Sequence, residues 1–336
     1  MGNKQERTIY VGCPAYNKTG GTELAHQLVN ELRNNGMTAM ILYYDAGEKN
    51  ANKELINPAF RQYVDEYVTL DEVIDDDKNM IIAPEIEIGI LDFYHNIKKS
   101  IWWMSVDNFV KRNGYINAIK FYGFLGATNA VIKKNIPLFR KKLDNNVLHL
   151  YQSEYARLFL KENGIDNVFK LSDYLNDTYL DTTDVKKENR DNNVLYNPKK
   201  GIEFTNKLIE RSPELNWIPI KNMTTEEVRQ LLLKSKVYID FGNHPGKDRF
   251  PREAAISGCC IITGKRGSAA NNIDICIPEK YKFVDKESNI SNIIDQIKEC
   301  IENYSQEFDN YKEYRQRIGK EKIEFKEDVK GLIDNL

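Results

Sequence analysis

Residues 236–270 read Lys-Val-Tyr-Ile-Asp-Phe-Gly-Asn-His-Pro-Gly-Lys-Asp-Arg-Phe-Pro-Arg-Glu-Ala-Ala-Ile-Ser-Gly-Cys-Cys-Ile-Ile-Thr-Gly-Lys-Arg-Gly-Ser-Ala-Ala. Val237 to Phe241 is a β-branched and aromatic run of strand length. Gly242 to Pro251 collects glycine, proline, His244, Lys247, Asp248 and Arg249, which is loop chemistry. Arg252 to Ser257 predicts a short helix stopped by Gly258, and Cys259 to Thr263 a second buried strand. Gly264 to Ser268, with Gly267, closes the unit as a tight turn. Strand, loop, helix, strand and loop in this order put both loops and the helix start at one end of a parallel sheet. Open α/β sheets bind ligands there.

The residue types at that end suit an anion. Lys247, Arg249 and the free N–H groups of a helix start attract a phosphate. Glu253, one turn into the helix, can accept hydrogen bonds from a sugar diol. A second site of the same kind opens the back half of the chain. Val194-Leu-Tyr reads as a strand, and Asn197-Pro-Lys-Lys-Gly201 carries it into a helix through Phe204 and Leu208. Lysine at a helix N-terminus again favours negative charge.

The N-terminus repeats the order of strand, loop and helix. Thr8 to Gly12 predicts a strand, Gly20-Gly21 ends a turn-rich loop, and Thr22 is expected to cap a helix with Leu24, Leu28 and Leu32 on one face. Met37 to Tyr44, Met80 to Ala83 and Ile101 to Ser105 follow as strands. Glu85 and Asp107 come just after apolar runs, so both are candidates for handling a hydroxyl at the sheet's C-terminal edge. His95 is expected in a structural helix. Asn146 to Tyr151 returns to strand, and Ser153 to Gly164 is a helix with a serine cap and a glycine stop. Asp274 to Pro278 is expected as a further short strand, and the chain closes in helices.

Taken together, strand, Pro-x-Glu-Ala-Ala, x-x-Gly, strand and Gly-rich loop resemble the donor-binding segment of GT-B glycosyltransferases, particularly glycosyltransferase family 4 and its relatives. The resemblance follows the chain in order, with its specific motifs at 8–25, 196–201 and 240–268. It implies an α/β chain of GT-B type, with two Rossmann-like domains facing across a cleft and a C-terminal helix crossing back to the first. The expected division is 1–172 as acceptor domain, 173–193 as linker, 194–310 as nucleotide-sugar domain and 311–336 as C-terminal helices.

The implied substrate is a UDP- or GDP-type nucleotide-diphosphate sugar, with no further cofactor and no metal. The implied reaction is metal-independent hexosyl transfer to a glycan or lipid-linked acceptor in polysaccharide synthesis at the cell envelope, with retention at the anomeric centre. Lys200-Gly201 would hold the diphosphate with Arg249 and Lys247, Glu253 would hold the ribose, and Gly20, Gly21, Gly267 and Ser268 would line the donor site. Lys200 and Arg249 would carry the charge stabilisation, and Asp107 or Glu85 the acceptor side. Where the family has a glutamate eight residues before Glu253, this chain has Pro245, so contacts to the transferred sugar fall to His244, Asp248 or elsewhere. Alternatives on the same fold are a nucleotide-sugar epimerase or hydrolase, or a binding subunit without turnover.

Composition bounds the rest. The chain has 336 residues, 41% hydrophobic and 29% charged, with a net charge of −2, which describes a globular protein and not a nucleic-acid binder. No stretch has the length of apolar sequence a membrane span needs, and a cytoplasmic location, with possible attachment to the inner membrane face, is the expectation. The five cysteines and four histidines show no metal-ligand spacing. One segment stands apart: residues 109–143 hold eight basic side chains and no acidic one, interleaved with aromatic and aliphatic residues. This suits an anionic membrane surface or a helical pair with a solvated basic face.

Overall fold

The structure, a computed structural model, describes residues 7–45, 54–133, 135–136 and 143–336. The chain divides into two compact units, Met1–Asp173 with Glu324–Leu336, and Tyr174–Ile323.

The first unit is built on β1 (Thr8–Cys13), α1 (Gly20–Asn34), β2 (Thr38–Tyr43), β3 (Tyr67–Thr69), β4 (Met80–Pro84), β5 (Lys98–Trp103), α2 (Val106–Asn113), α3 (Tyr115–Ile132), β6 (Leu148–Tyr151), α4 (Glu154–Glu162) and β7 (Val168–Lys170). Its strands form a parallel sheet in the order β3-β2-β1-β4-β5-β6-β7. β1 and β4 are buried almost throughout, as strands covered on both faces must be. The order reverses between β1 and β4, which makes their C-terminal ends the switch point of the sheet.

Three expectations are corrected here. Thr19 caps α1, and Thr22 closes the capping box from the third helical position, so the helix begins at Gly20. His95 lies outside any helix, in a turn whose N–H groups are collected by the Asp75 carboxylate, His95 N–H itself donating at 2.8 Å. β5 begins at Lys98, because its first residues pair with β4 although their side chains are polar.

The basic segment folds as helices. Inside α3, Gly123 breaks the helical backbone at φ 69°, ψ 172°. The Tyr115 hydroxyl then lies 2.8 Å from Thr128 Oγ1, although an unbroken helix would separate residues so spaced by about 20 Å. α3 is therefore a hairpin, closed by a small core of Ala118, Ala127 and Ile136. Lys134, Arg140, Lys141 and Lys142 lie outside the described residues.

The second unit contains α5 (Asp177–Leu180), β8 (Asp191–Tyr196), α6 (Ile202–Arg211), β9 (Asn216–Pro219), α7 (Thr225–Lys234), β10 (Ser235–Asp240), α8 (Arg249–Ile256), β11 (Cys260–Gly264), β12 (Lys282–Phe283), α9 (Ile290–Glu302), α10 (Tyr304–Asp309) and the first half of α11 (Lys312–Asp334). Its parallel sheet has the order β12-β11-β10-β8-β9, with the switch point between β8 and β10. The strand expected at Asp274 is a turn. Asn271 Oδ1 accepts the N–H groups of Ile273 at 2.9 Å and Asp274 at 2.8 Å, and the edge strand comes later, at Lys282. Residues 173–193, polar in sequence, carry α5 and the start of β8. There Arg190 is buried and donates to the carbonyls of Leu232 at 3.0 Å and Ser235 at 2.8 Å.

α11 continues past Ile323, and its last residues, Glu324–Leu336, belong to the first unit. There Asp328 accepts the Ser172 N–H at 3.0 Å, and Lys170 lies 3.6 Å from Glu324. Among the described residues no helix is long and apolar enough to cross a membrane.

Candidate functional site

The second unit gathers its chemistry at the switch point. The turn after β8 is pressed onto the end of β10. Gly201 takes a left-handed backbone (φ +59°), and a Cβ there would meet the Phe241 carbonyl oxygen at 2.4 Å. Gly242 is its counterpart, since a Cβ would stand 2.4 Å from Lys200 Cβ. Only glycine allows this approach. It fixes the stem of Lys200 against the loop that follows β10.

Lys200 Nζ lies 2.7 Å from Asp248 Oδ2. The same oxygen stands 3.0 Å from His244 Nδ1, and His244 Nε2 is 3.6 Å from Asp240 Oδ1. Asp240 is held in turn by the Tyr238 hydroxyl, donating at 3.0 Å, and by the Gly242 N–H at 2.9 Å. His244 is fully buried, and burial alone would lower its pKa. Asp240 and Asp248 outweigh that and raise it, favouring the imidazolium. Burial likewise opposes ionisation of Asp248, but His244 and Lys200 hold its carboxyl below the ordinary range. Tyr238 is pushed well up by burial and then by the surrounding carboxylates, so it stays a neutral donor.

α8 starts at Arg249, three residues before the sequence-based start, with Asp248 at the capping position. Pro251 is accommodated in the first turn, where its missing N–H costs no helical bond. Arg249 and Glu253 stand one turn apart on this helix, and the hydroxyl of buried Tyr179 feels both. Behind the loop, the Ser268 N–H donates to His244 O at 2.9 Å and its hydroxyl to Gly246 O at 2.6 Å. Gly267 (φ +55°) allows this clamp, since a Cβ would stand 2.0 Å from the His244 carbonyl oxygen. Gly267 and Ser268 thus support the loop through its backbone.

Lys247 is directed elsewhere. Its ammonium lies 2.9 Å from Glu321 of α11, which also takes Arg252 at 2.7 Å. Arg252 is buried and donates to the carbonyls of Lys247 at 2.9 Å and Asp248 at 3.2 Å. Beside Lys200 and Gly201, a cavity of about 400 Å³ is lined by Phe204, Phe241, Asn243 and Arg266 among others. Sequence reasoning missed Asp240, Tyr238, Arg252 and Glu321. Asp240 had a signal, a carboxylate ending an apolar strand; Glu321 had none, lying far along the chain from Arg252.

The remaining candidates lie in the first unit. Gly20 and Gly21 open α1, and a Cβ at Gly21 would stand 3.8 Å from Met104 Sδ. Glu85 is buried, and its carboxylate accepts the Met104 N–H at 3.0 Å. Burial pushes its pKa up to about 8, against the pull of the N–H groups of Met104, Glu85 itself and Ser105. Asp107 Oδ1 accepts the Tyr155 hydroxyl at 2.7 Å, on a half-buried side chain. Among the described residues no group of three or more His, Cys, Asp or Glu side chains is arranged to hold a metal.

Two Rossmann-like sheets, a terminal helix returned to the first unit and an ionic cluster at the second sheet's switch point define the GT-B architecture. Solved structures share it over nearly their whole length. TarM of S. aureus, solved as a mutant with Fondaparinux, alpha-GlcNAc-glycerol and UDP, is 11% identical with a TM-score of 0.66, over 98% of this chain and 99% of that one. HepE of Anabaena in complex with UDP-glucose is 11% identical with a TM-score of 0.62, over 98% of this chain and 100% of that one. A glycosyltransferase from Rickettsia africae is 14% identical with a TM-score of 0.56, over 98% and 97%. No family model matches the chain, and no curated protein sequence does.

Proposed function

We propose that the protein transfers a hexosyl group from a UDP- or GDP-type nucleotide sugar to a glycan or lipid-linked acceptor. The observation that carries this reading is the position of Lys200, held over the start of α8 by Asp248 at the switch point. A diphosphate entering there meets the Lys200 ammonium, the positive end of the α8 dipole and, on the helix's first residue, Arg249. Glu253, one turn on, suits the ribose diol. That UDP complexes are solved for TarM and HepE supports the donor class.

Departure of a nucleoside diphosphate places negative charge on the bridging oxygen as the glycosidic bond breaks. Fixed cations and helix dipoles aimed at that charge lower the barrier. His244 and Asp248 stand in place of the family's usual carboxylate, and we assign them to orienting Lys200 and the sugar. We give Glu85 a supporting part, because its carboxylate is sealed in and occupied by the Met104 N–H. Retention at the anomeric centre, which the resemblance implies, is the outcome we propose, with Asp107, half-buried beside Tyr155, on the acceptor side. Turnover unchanged by a chelator would agree with charge stabilisation by side chains.

The test is a melting-temperature panel with uridine, guanosine, adenosine and thymidine diphosphates, followed by transfer from the matching sugar donor. A ligand at 100 times its dissociation constant adds about 2.7 kcal/mol to stability. No stabilisation by any nucleoside diphosphate overturns the reading. Donor hydrolysis that no acceptor accelerates would favour a hydrolase on the same fold.

A further inference from the structure

Six of the thirteen large apolar side chains that are exposed among the described residues fall between residues 110 and 132. Scattered exposed apolar residues are ordinary, but a concentration of this kind marks an interaction surface. The hairpin fold of α3 explains it. Its turn is Tyr122-Gly-Phe-Leu-Gly126, and Tyr122, Phe124 and Leu125 are 66%, 65% and 83% exposed. A Cβ at Gly123 would meet nothing within 4 Å, so glycine is there for its backbone angles alone. At Gly126 a Cβ would stand 2.9 Å from Tyr122 Cβ, so the second glycine lets the turn close. The pair of glycines thus builds an apolar tip that an unbroken helix would not present.

Within the segment that carries the tip, the charged side chains are of one sign. Lys111, Lys120 and Lys133 are exposed, Arg112 is paired with Glu87 at 2.5 Å, and residues 109–143 contain no carboxylate. An apolar tip on arms whose lysines are exposed matches a bilayer with anionic headgroups, where the lysines meet lipid phosphates and the tip enters the acyl boundary. A second copy of the chain would bring like charges together. A nucleic-acid backbone would leave the apolar tip without a partner. We propose that the tip of the α3 hairpin seats the protein on an anionic lipid surface through Tyr122, Phe124 and Leu125. Nothing in this rests on the donor reading.

Flotation of the full chain with phosphatidylcholine vesicles, with and without phosphatidylglycerol, tests it. No nucleotide is present, so the outcome is separate from that of donor binding. The protein should float with the anionic vesicles and stay behind with the neutral ones. The double variant Phe124→Ser with Leu125→Ser should bind at least ~10-fold more weakly, from the apolar area withdrawn. Lys120→Glu with Lys133→Glu should lose about as much through charge. All four side chains are exposed, so both variants should melt with the parent. The proposal is overturned if the parent chain fails to float with anionic vesicles, or if the tip variant floats equally well. It is also overturned if the parent is an oligomer that the tip variant dissolves, since a second copy would then cover the tip.

Discussion

At the switch point of the first sheet, β4 hands the chain to Glu85, a buried carboxyl whose neighbours are backbone N–H groups. At the switch point of the second, β8 and β10 deliver Lys200, His244, Asp240 and Asp248, four ionisable groups within reach of one another. The backbone plan is shared, and the electrostatics are opposed. One site holds a single acid that burial makes reluctant to ionise. The other holds Asp248, whose ionised form burial also disfavours, kept charged by His244 and Lys200. A fold therefore supplies the place, and the residues landing there decide what it can bind.

Several substitutions would break or sharpen this contrast. Glu321→Ala should have the largest effect. It leaves buried Arg252 and half-buried Lys247 without their shared carboxylate, and about 3–5 kcal/mol of unfolding free energy should be lost in urea titration. If stability is unchanged, the ionic packing behind the loop is not what holds it. Lys200→Ala should lower transfer by about two orders of magnitude and abolish stabilisation by nucleoside diphosphate. Near-normal turnover would remove Lys200 from the reaction. Gly201→Ala should cost about 2 kcal/mol, combining a left-handed backbone with a clash against Phe241. An alanine variant as stable as the parent would show that the turn can move.

A different kind of effect is a tilt of stability with pH. Glu85 ionises near 8 when folded and in the ordinary carboxylate range when unfolded, so the folded chain binds the extra proton between those values. Stability from this group is complete at low pH and falls as pH rises toward 8. Glu85→Gln should flatten that fall in melting curves taken across the range. The second site behaves otherwise. Asp248, held low, contributes stability that is lost as pH drops through its folded value, and His244, held high, contributes stability that is lost as pH rises through its own. His244→Gln should therefore change the alkaline side of the profile and leave the Glu85 tilt in place.

Much of the fold was legible because buried parallel strands write themselves as apolar runs, as in Val237–Phe241 and Met80–Ala83. A lysine-bearing turn after Val194–Tyr196 was legible from residue types, and the choice of Lys200-Gly201 within it came from the family resemblance. What escaped notice depends on distance through space. The Asp274 segment reads as a strand by composition, yet Asn271 turns it. Lys247 reads as a free cation, yet Glu321 takes it from seventy-odd positions along the chain. The hairpin in α3 was half visible, since the basic segment reads as a helical pair but the pairing of Tyr115 with Thr128 does not follow from sequence.

The returning end of α11 has a consequence for biosynthesis. Phe325, Val329 and Leu332 are wholly buried, and all three belong to the unit whose other residues end at Asp173. A ribosome releases the second unit's residues before it delivers these last ones. The unit whose translation begins before the other's is therefore completed after it, and a fragment ending near residue 173 would have a core with one wall missing.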